Sequence, residues 1–276
     1  MVTREELTAQ SMHYVRTVGM TTMRGRGFYF PVDSAMASNG RIYVLSRSIE
    51  RVSPDSLRIT MLNEEGEYFG VFGKAGENDG EFRWPCGIAL DDKDQVFVTD
   101  EHLHRVSTFT PDGEFIGKWG TFGTEEGMLN GPAGITVDSD GNILVSDSQN
   151  HRIQKFSKSG NFISSFGTQG NEEGQLNLPW GITTNSDDEI FVADWGNDRI
   201  QKFSADGKFL AQYGATGQAD GQFVRPSGVT VNPDGYMYVA DWGNERIQIL
   251  NPDGQFIQKL RGEATNSEWA EDFLGV

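Results

Sequence analysis

The chain has 276 residues, of which 37% are hydrophobic, and its formal net charge is −17. A negative charge of this size keeps a protein soluble and repels phosphate backbones, so it argues against a nucleic-acid partner. Cys86 is the single cysteine, the amino terminus has no apolar signal segment, and no apolar run is long enough to span a membrane. We therefore expect an acidic, soluble, cytoplasmic protein with no internal disulfide and no membrane contact.

A 47-residue period runs through most of the sequence and predicts a tandem array of one structural unit. Three residue types keep the period: Pro85, Pro132, Pro179 and Pro226; Asp100, Asp147, Asp194 and Asp241; Arg105, Arg152, Arg199 and Arg246. In the unit that begins at Gly127, short apolar segments predict four strands, over 135–138, 143–147, 152–156 and 162–166. Four strands repeated at this length are typical of a β-propeller blade.

The first segments in chain order are less regular than those that follow. Gly19 precedes Pro31 by 12 residues, the same distance that separates the last glycine of each later unit from the next proline. Residues 14–19 are therefore predicted to be the outer strand of a blade whose other strands are missing. The first full unit carries seven extra residues, which we place in the loop 47–57 between its second and third strands.

The sequence thus predicts an all-β, six-bladed propeller with five full blades plus the outer strand of a sixth. We expect an N-terminal segment over 1–12, a single propeller domain over 13–262, and a tail or linker over 263–276 that leads toward the incomplete blade. An open ring would expose apolar blade faces. A longer natural chain, a second subunit in a homo-oligomer or a partner chain would complete the sixth blade.

The motif Asp-x-x-Asn-x-Arg-Ile-Gln occurs at 147–154, 194–201 and 241–248. It resembles the repeat of the NHL family, and the resemblance covers about residues 14–260. That family includes a peptidyl-amidoglycolate lyase domain, modules of ubiquitin ligases that bind RNA or protein, and many bacterial proteins of unknown role. The resemblance therefore implies the propeller fold but no particular activity.

The repeated Asp and Arg residues are interpreted as parts of the architecture. A ring of carboxylates could hold ligands, but each Asp ends a predicted strand, where it can accept hydrogen bonds from loop amides. An Arg follows five residues later and can pair with it. A residue type that every blade carries is most simply required by the blade itself.

A set of aromatic residues is predicted on one face of the disc. Trp195 and Trp242 lie in loops between second and third strands, while Trp84 and Trp180 lie beside the prolines where first strands begin. Strand alternation places both kinds of loop on the same face, around the central channel. With Arg225, these indoles could bind a protein or a small-molecule ligand. The alternative is that each Trp caps its own blade.

Two histidines and one aspartate are further candidates. His104 and His151 occupy equivalent repeat positions, and the lyase branch of the NHL family implies metal-binding histidines from separate blades. A divalent metal at His104 and His151 is therefore one hypothesis, although zinc needs three protein ligands and His is an ordinary variant here. Asp33 aligns with the hub glycines of the later units, so it either binds a cation or substrate or fills space in a divergent blade.

No nucleophile elbow, phosphate loop or metalloprotease motif occurs in the sequence. The sequence therefore favours a non-enzymatic binding or scaffold module that uses the tryptophan-bearing loop face and the mouth of the central channel. No cofactor is predicted for this module. The alternative hypothesis is a metal-assisted lyase or hydrolase with its site in the central channel.

Overall fold

The repeat unit forms a four-stranded antiparallel sheet in which each strand pairs with the next along the chain. The computed structural model describes residues 27–47 and 54–261 and contains five such sheets, the blades of a β-propeller. Blade 1 consists of β1 (Pro31–Met36), β2 (Ile42–Ser46), β3 (Arg58–Leu62) and β4 (Tyr68–Phe72). A short parallel pair follows, β5 (Lys74–Ala75) and β6 (Glu81–Phe82).

The other four blades have strands of almost constant length. Blade 2 consists of β7 (Pro85–Leu90), β8 (Val96–Asp100), β9 (Arg105–Phe109) and β10 (Phe115–Trp119). Blade 3 consists of β11 (Pro132–Val137), β12 (Ile143–Asp147), β13 (Arg152–Phe156) and β14 (Phe162–Phe166). Blade 4 consists of β15 (Pro179–Thr184), β16 (Ile190–Asp194), β17 (Arg199–Phe203) and β18 (Phe209–Tyr213). Blade 5 consists of β19 (Pro226–Val231), β20 (Met237–Asp241), β21 (Arg246–Leu250) and β22 (Phe256–Arg261).

The predicted strands of blade 3 agree with the structure except at the two ends of the innermost strand, which is predicted over 135–138 and spans Pro132–Val137. The strands β12, β13 and β14 have the predicted bounds, but β11 begins at Pro132, because Pro132 pairs with Asp147 across a bulge that ends at Ile135. The insertion of blade 1 lies between β2 and β3, as predicted. The predicted outer strand 14–19, the segment 1–12 and the tail 263–276 lie outside the described residues.

The core consists of apolar layers between neighbouring blades. The inner strands β1, β7, β11, β15 and β19 lie side by side around the hub, each in contact with the next. Between blades 1 and 2, the layer contains Tyr43, Phe72 and Phe109, and between blades 4 and 5 it contains Phe191 and Leu250. Each blade therefore depends on its neighbours to bury its faces.

Glycines at the hub allow the inner strands to approach closely. A Cβ added to Gly134 would lie 2.3 Å from the carbonyl oxygen of Trp180, and one added to Gly181 would lie 2.6 Å from the Cα of Gly228. Gly228 holds the same position in blade 5, but its added Cβ would meet only the Ala240 Cβ, at 3.6 Å. The backbone of a following blade thus crowds Gly134 and Gly181, and nothing described crowds Gly228.

Blades 1 and 5 each have one face that the described residues leave uncovered. On blade 1, Val32 is 39% exposed and Met36 is 64% exposed, whereas the equivalent strand of blade 2 is buried over most of its length. On blade 5, Ile247 is 41% exposed. The two faces bound a gap in the described ring.

The residues of the repeated motif form hydrogen bonds with the segment that joins the outer strand of the preceding blade to the inner strand of their own blade. In blade 4, Arg199 Nε donates to the Asp194 carboxylate at 2.8 Å, and its Nη2 donates to the carbonyl of Gln175, also at 2.8 Å. Gln201 donates to that same carbonyl at 2.6 Å, and Asn197 donates to Asp194 at 2.9 Å. The repeated Asp and Arg are therefore architectural, as the sequence indicates.

Candidate functional site

Two positions of the repeat face the mouth of the central channel, and their residue types differ from blade to blade. One position directly follows the repeated proline, and the other follows the last residue of the second strand. Together with Pro31, they line a cavity of about 500 Å³. The lining residues are Pro31, Val32, Arg47, Cys86, Trp180, Trp195, Ser227 and Trp242. This cavity is the candidate functional site.

One wall of the cavity carries the indoles of blades 4 and 5. The rings of Trp180 and Trp195 have their centroids 6.5 Å apart and are tilted by 36°. Trp242 is 60% exposed at the equivalent position of blade 5. Trp195 and Trp242 each begin a 3-10 turn (Trp195–Asn197 and Trp242–Asn244), while Trp180 is the second residue of β15 rather than part of a loop. The exposed guanidinium of Arg225 lies 4.8 Å from the Trp195 ring.

The opposite wall is cationic and comes from blades 1 and 2. The Arg47 guanidinium lies 4.3 Å from the centre of the Trp84 ring, so Trp84 supports a lining residue without itself lining the cavity. Arg47 Nη1 is 3.4 Å from the Cys86 sulfur and 3.9 Å from the Glu101 carboxylate. Burial, and next the Glu101 charge, raise the pKa of the Cys86 thiol, so the thiol remains protonated and is a poor nucleophile.

Asp33 lies at the predicted hub position, where its carboxylate bridges blades 1 and 2 without lining the cavity. One carboxylate oxygen accepts a hydrogen bond from the Ile88 amide at 2.9 Å, and the other accepts one from the Ser34 amide at 2.8 Å. The surrounding protein raises the pKa of Asp33 to about 6, while the two amide hydrogen bonds lower it. Water still reaches the residue along the uncovered side of β1, so this desolvation is incomplete.

His104 and His151 each join their blade to the next one. The Nδ1 atom of His104 accepts a hydrogen bond from the Gly131 amide at 3.1 Å, and that of His151 accepts one from the Leu178 amide at 3.1 Å. Asp198 does the same in blade 4, where it accepts from the Arg225 amide at 2.7 Å. Burial is the main cause that lowers the pKa of both histidines, which favours their neutral form.

These contacts do not fit a metal centre. The two imidazoles use Nδ1 within the scaffold, and no group of three or more His, Cys, Asp or Glu side chains in the described part of the chain is placed to hold an ion. A catalytic zinc normally has three protein ligands. No catalytic step through a metal can therefore be derived from these residues.

Sequence reasoning missed Arg47, Val32 and Ser227. Arg47 occupies the same repeat position as Trp195 and Trp242, directly after the second strand. The sequence would have indicated Arg47 if the positions that vary between repeats had been compared with those that stay constant. Constant positions build the blade, and the variable positions beside them face the channel mouth.

Comparisons with known proteins agree with the repeat. A model of the NHL repeat matches residues 129–156, 176–203 and 223–250, in blades 3, 4 and 5. No curated protein sequence matches the chain. Within residues 27–47 and 54–261, no helix has the length and apolarity that crossing a membrane requires.

Several solved structures share the fold. A streptogramin B lyase has a TM-score of 0.61 and 16% identity, covering 84% of this chain and 68% of that chain. The virginiamycin B lyase from Staphylococcus aureus has a TM-score of 0.59 and 18% identity, covering 83% of this chain and 69% of that chain. The nidogen/laminin complex has a TM-score of 0.61 and 18% identity, covering 85% and 81%. Identities this low show the fold alone. The chain contains three NHL repeats within an all-β propeller fold.

Proposed function

We propose that the protein is a binding or scaffold module that works through the tryptophan-bearing loop face and the channel mouth. The observation that carries this proposal is the cavity of about 500 Å³ with Trp180, Trp195 and Trp242 in its lining. Large aromatic side chains at the rim of a concave site supply contact area and commonly dominate binding energy. Protein binding agrees with the nidogen/laminin complex among the similar folds. A cytoplasmic location belongs to the proposal and rests on the sequence.

A double substitution tests this proposal. Trp195→Ala together with Trp242→Ala removes one half-buried and one exposed indole of the cavity lining, and we expect partner capture in a pull-down to be abolished while the unfolding midpoint changes little. Leu210→Ala is the matched control, because Leu210 is 48% exposed on the outer strand β18, away from the mouth. Unchanged capture by the double variant would refute the proposal.

We further propose that the ring has six blades and that residues 14–19 supply the outer strand of the sixth. In blades 2 to 5, the Arg of the third strand donates hydrogen bonds to the segment that follows the outer strand of the preceding blade. Arg199, for example, donates to the carbonyl of Gln175. Blade 1 keeps this contact, because Arg58 Nη2 donates to the carbonyl of Gly27 at 2.9 Å. A connection of the same kind thus enters blade 1, which supports a preceding blade.

The uncovered face of blade 5 supports the same proposal. Glu245 occupies the position at which His104, His151 and Asp198 accept an amide hydrogen bond from the next blade. A sixth blade would give Glu245 the equivalent partner. The remaining strands would come from a longer chain, a second subunit or a partner chain.

A lyase or hydrolase in the central channel is the second candidate function. Two of the similar folds are lyases, and Asp33 has a raised pKa of about 6, which suits a general base near neutral pH. Full activity of an Asp33→Ala variant toward any substrate that the protein turns over, together with elemental analysis that finds no bound metal, would eliminate a channel site that works through Asp33 or a metal.

A further inference from the structure

The cavity at the channel mouth has two chemically different walls. We propose that it binds a small organic acid that has a flat aromatic body and a single carboxylate. The aromatic body stacks on the indoles of blades 4 and 5, and the carboxylate points to Arg47 of blade 1. This inference rests on the proposed function and names the ligand class of the same face.

The indole wall accounts for the aromatic body. Trp180 and Trp195 lie next to each other at 6.5 Å, and Trp242 continues the wall in blade 5. Offset stacking on indoles favours a flat ring over a flexible chain. Among the side chains of the lining, Ser227 supplies the hydroxyl and Arg47 the charge, so the rest of the surface suits an apolar ligand. A volume of about 500 Å³ lies within the usual range for small-molecule sites.

Arg47 accounts for the carboxylate. Stacking on Trp84 fixes the plane of its guanidinium, and the nearest carboxylate oxygen of Glu101 is 3.9 Å away, too far for a hydrogen bond. Nη1 also donates to the Cys86 sulfur at 3.4 Å, so the other N–H groups of the planar guanidinium are the donors for a ligand, and a guanidinium matches the two oxygens of a carboxylate. Arg225, stacked on Trp195, takes part in none of the ion pairs of the described residues and adds positive charge at the rim.

The charges decide against other ligand classes. Aromatic walls also bind quaternary ammonium groups, but the guanidinium groups of Arg47 and Arg225 would repel a cation. A neutral sugar would stack on the indoles and accept hydrogen bonds from Arg47 through its hydroxyl oxygens, but it would bring no negative charge to the guanidinium. A phosphate dianion needs more positive charge than Arg47 provides, because Glu101 lies beside it. A monoanion fits the site best.

The test compares 2-naphthoate with 2-naphthamide by isothermal titration calorimetry; the two probes have nearly the same shape, but the amide is neutral and has an NH2 group in place of one carboxylate oxygen. We expect 2-naphthoate to bind about tenfold to a hundredfold more tightly, the usual worth of a hydrogen bond to a charged group. Arg47→Gln should remove this difference, and Arg47→Lys should restore part of it. Lys93→Gln is the control, since Lys93 is exposed in the turn between β7 and β8 at the other end of the strands.

The indole wall is tested separately. Trp195→Ala should weaken both probes by a similar factor, because it removes the stacking surface but not the charge. Equal affinity for the two probes would overturn the inference, and so would the absence of binding by both. Neither result would refute the proposed function. That proposal is tested separately, by partner capture and by its loss in the Trp195 and Trp242 double variant. Unfolding midpoints of all variants show whether a lost signal comes from a lost fold.

Discussion

Substitution of two equivalent hub glycines tests whether a sixth blade packs on blade 5. A Cβ at position 181 would lie 2.6 Å from the Cα of Gly228 and 2.8 Å from the carbonyl oxygen of Ser227, where ordinary contacts between carbon atoms are about 3.5–4.0 Å. The backbone of blade 5 would have to move by about 1 Å. Overpacking of this kind costs about 1–3 kcal/mol, so Gly181→Ala should lower the free energy of unfolding by that amount.

The stability of Gly228→Ala distinguishes a ring that a sixth blade closes from a ring that stays open. Against the described residues, its Cβ would meet only the Ala240 Cβ at 3.6 Å, an ordinary contact. Gly228 of blade 5 packs against Gly181 of blade 4, and the inner strand of a sixth blade would pack against Gly228 in the same way. We therefore expect Gly228→Ala to lower the free energy of unfolding about as much as Gly181→Ala.

The assay is urea unfolding followed by tryptophan fluorescence, carried out on the protein with the strands that complete the sixth blade present, in the longer chain, the oligomer or the complex, and with Gly117→Ala as the control. Gly117 lies in β10, and a Cβ added there meets nothing within 4 Å. Alanine at such a position is expected to be neutral or to stabilise by about 0.4–1 kcal/mol. The proposal of a sixth blade would be refuted if Gly228→Ala behaved like Gly117→Ala while Gly181→Ala remained destabilising.

Three further predictions concern buried and titrating groups. Arg199→Ala leaves the buried Asp194 carboxylate without its cationic partner and should cost about 3–5 kcal/mol in urea unfolding, whereas Lys208→Ala on the surface should leave the unfolding midpoint almost unchanged. The folded-state pKa of Asp33, about 6, lies above its unfolded value near 3.9. The native state therefore binds more protons between these values, and its stability should fall as pH rises from about 4 to 6 and then stay level; Asp33→Asn should abolish this component, and an unchanged pH profile would contradict it. Cys86 should react with iodoacetamide far more slowly in the folded than in the unfolded protein, and equal rates would disprove its burial.

The sequence predicts the blades well because the same local chemistry recurs in every unit. The strands β12, β13 and β14 have the bounds that alternation and turn residues indicate, and the repeated Asp and Arg have the architectural role that their recurrence implies. The start of β11 differs, because a bulge lets Pro132 pair with Asp147 ahead of the regular ladder. Bulges depend on the partner strand, so a single strand's pattern does not reveal them.

The site is harder to predict because it depends on contacts between blades. The imidazoles of His104 and His151 find their amide partners 27 residues further on, at Gly131 and Leu178, and no local pattern shows this. Arg47 has the repeat position of Trp195 and Trp242, but the insertion of blade 1 follows directly and hides this equivalence in the sequence. Its role follows from the structure, in which it lies opposite the indoles.

The most direct test of the binding face is the indole N–H region of a ¹⁵N–¹H spectrum, recorded during titration with 2-naphthoate. The chain has six tryptophans, and each gives one indole signal. The signals of Trp180, Trp195 and Trp242 should shift with saturation, while that of Trp119, which packs against Phe156 between blades 2 and 3, should stay in place. A saturable shift of Trp119 with the three cavity signals unchanged would contradict the assignment of the binding site to the channel mouth.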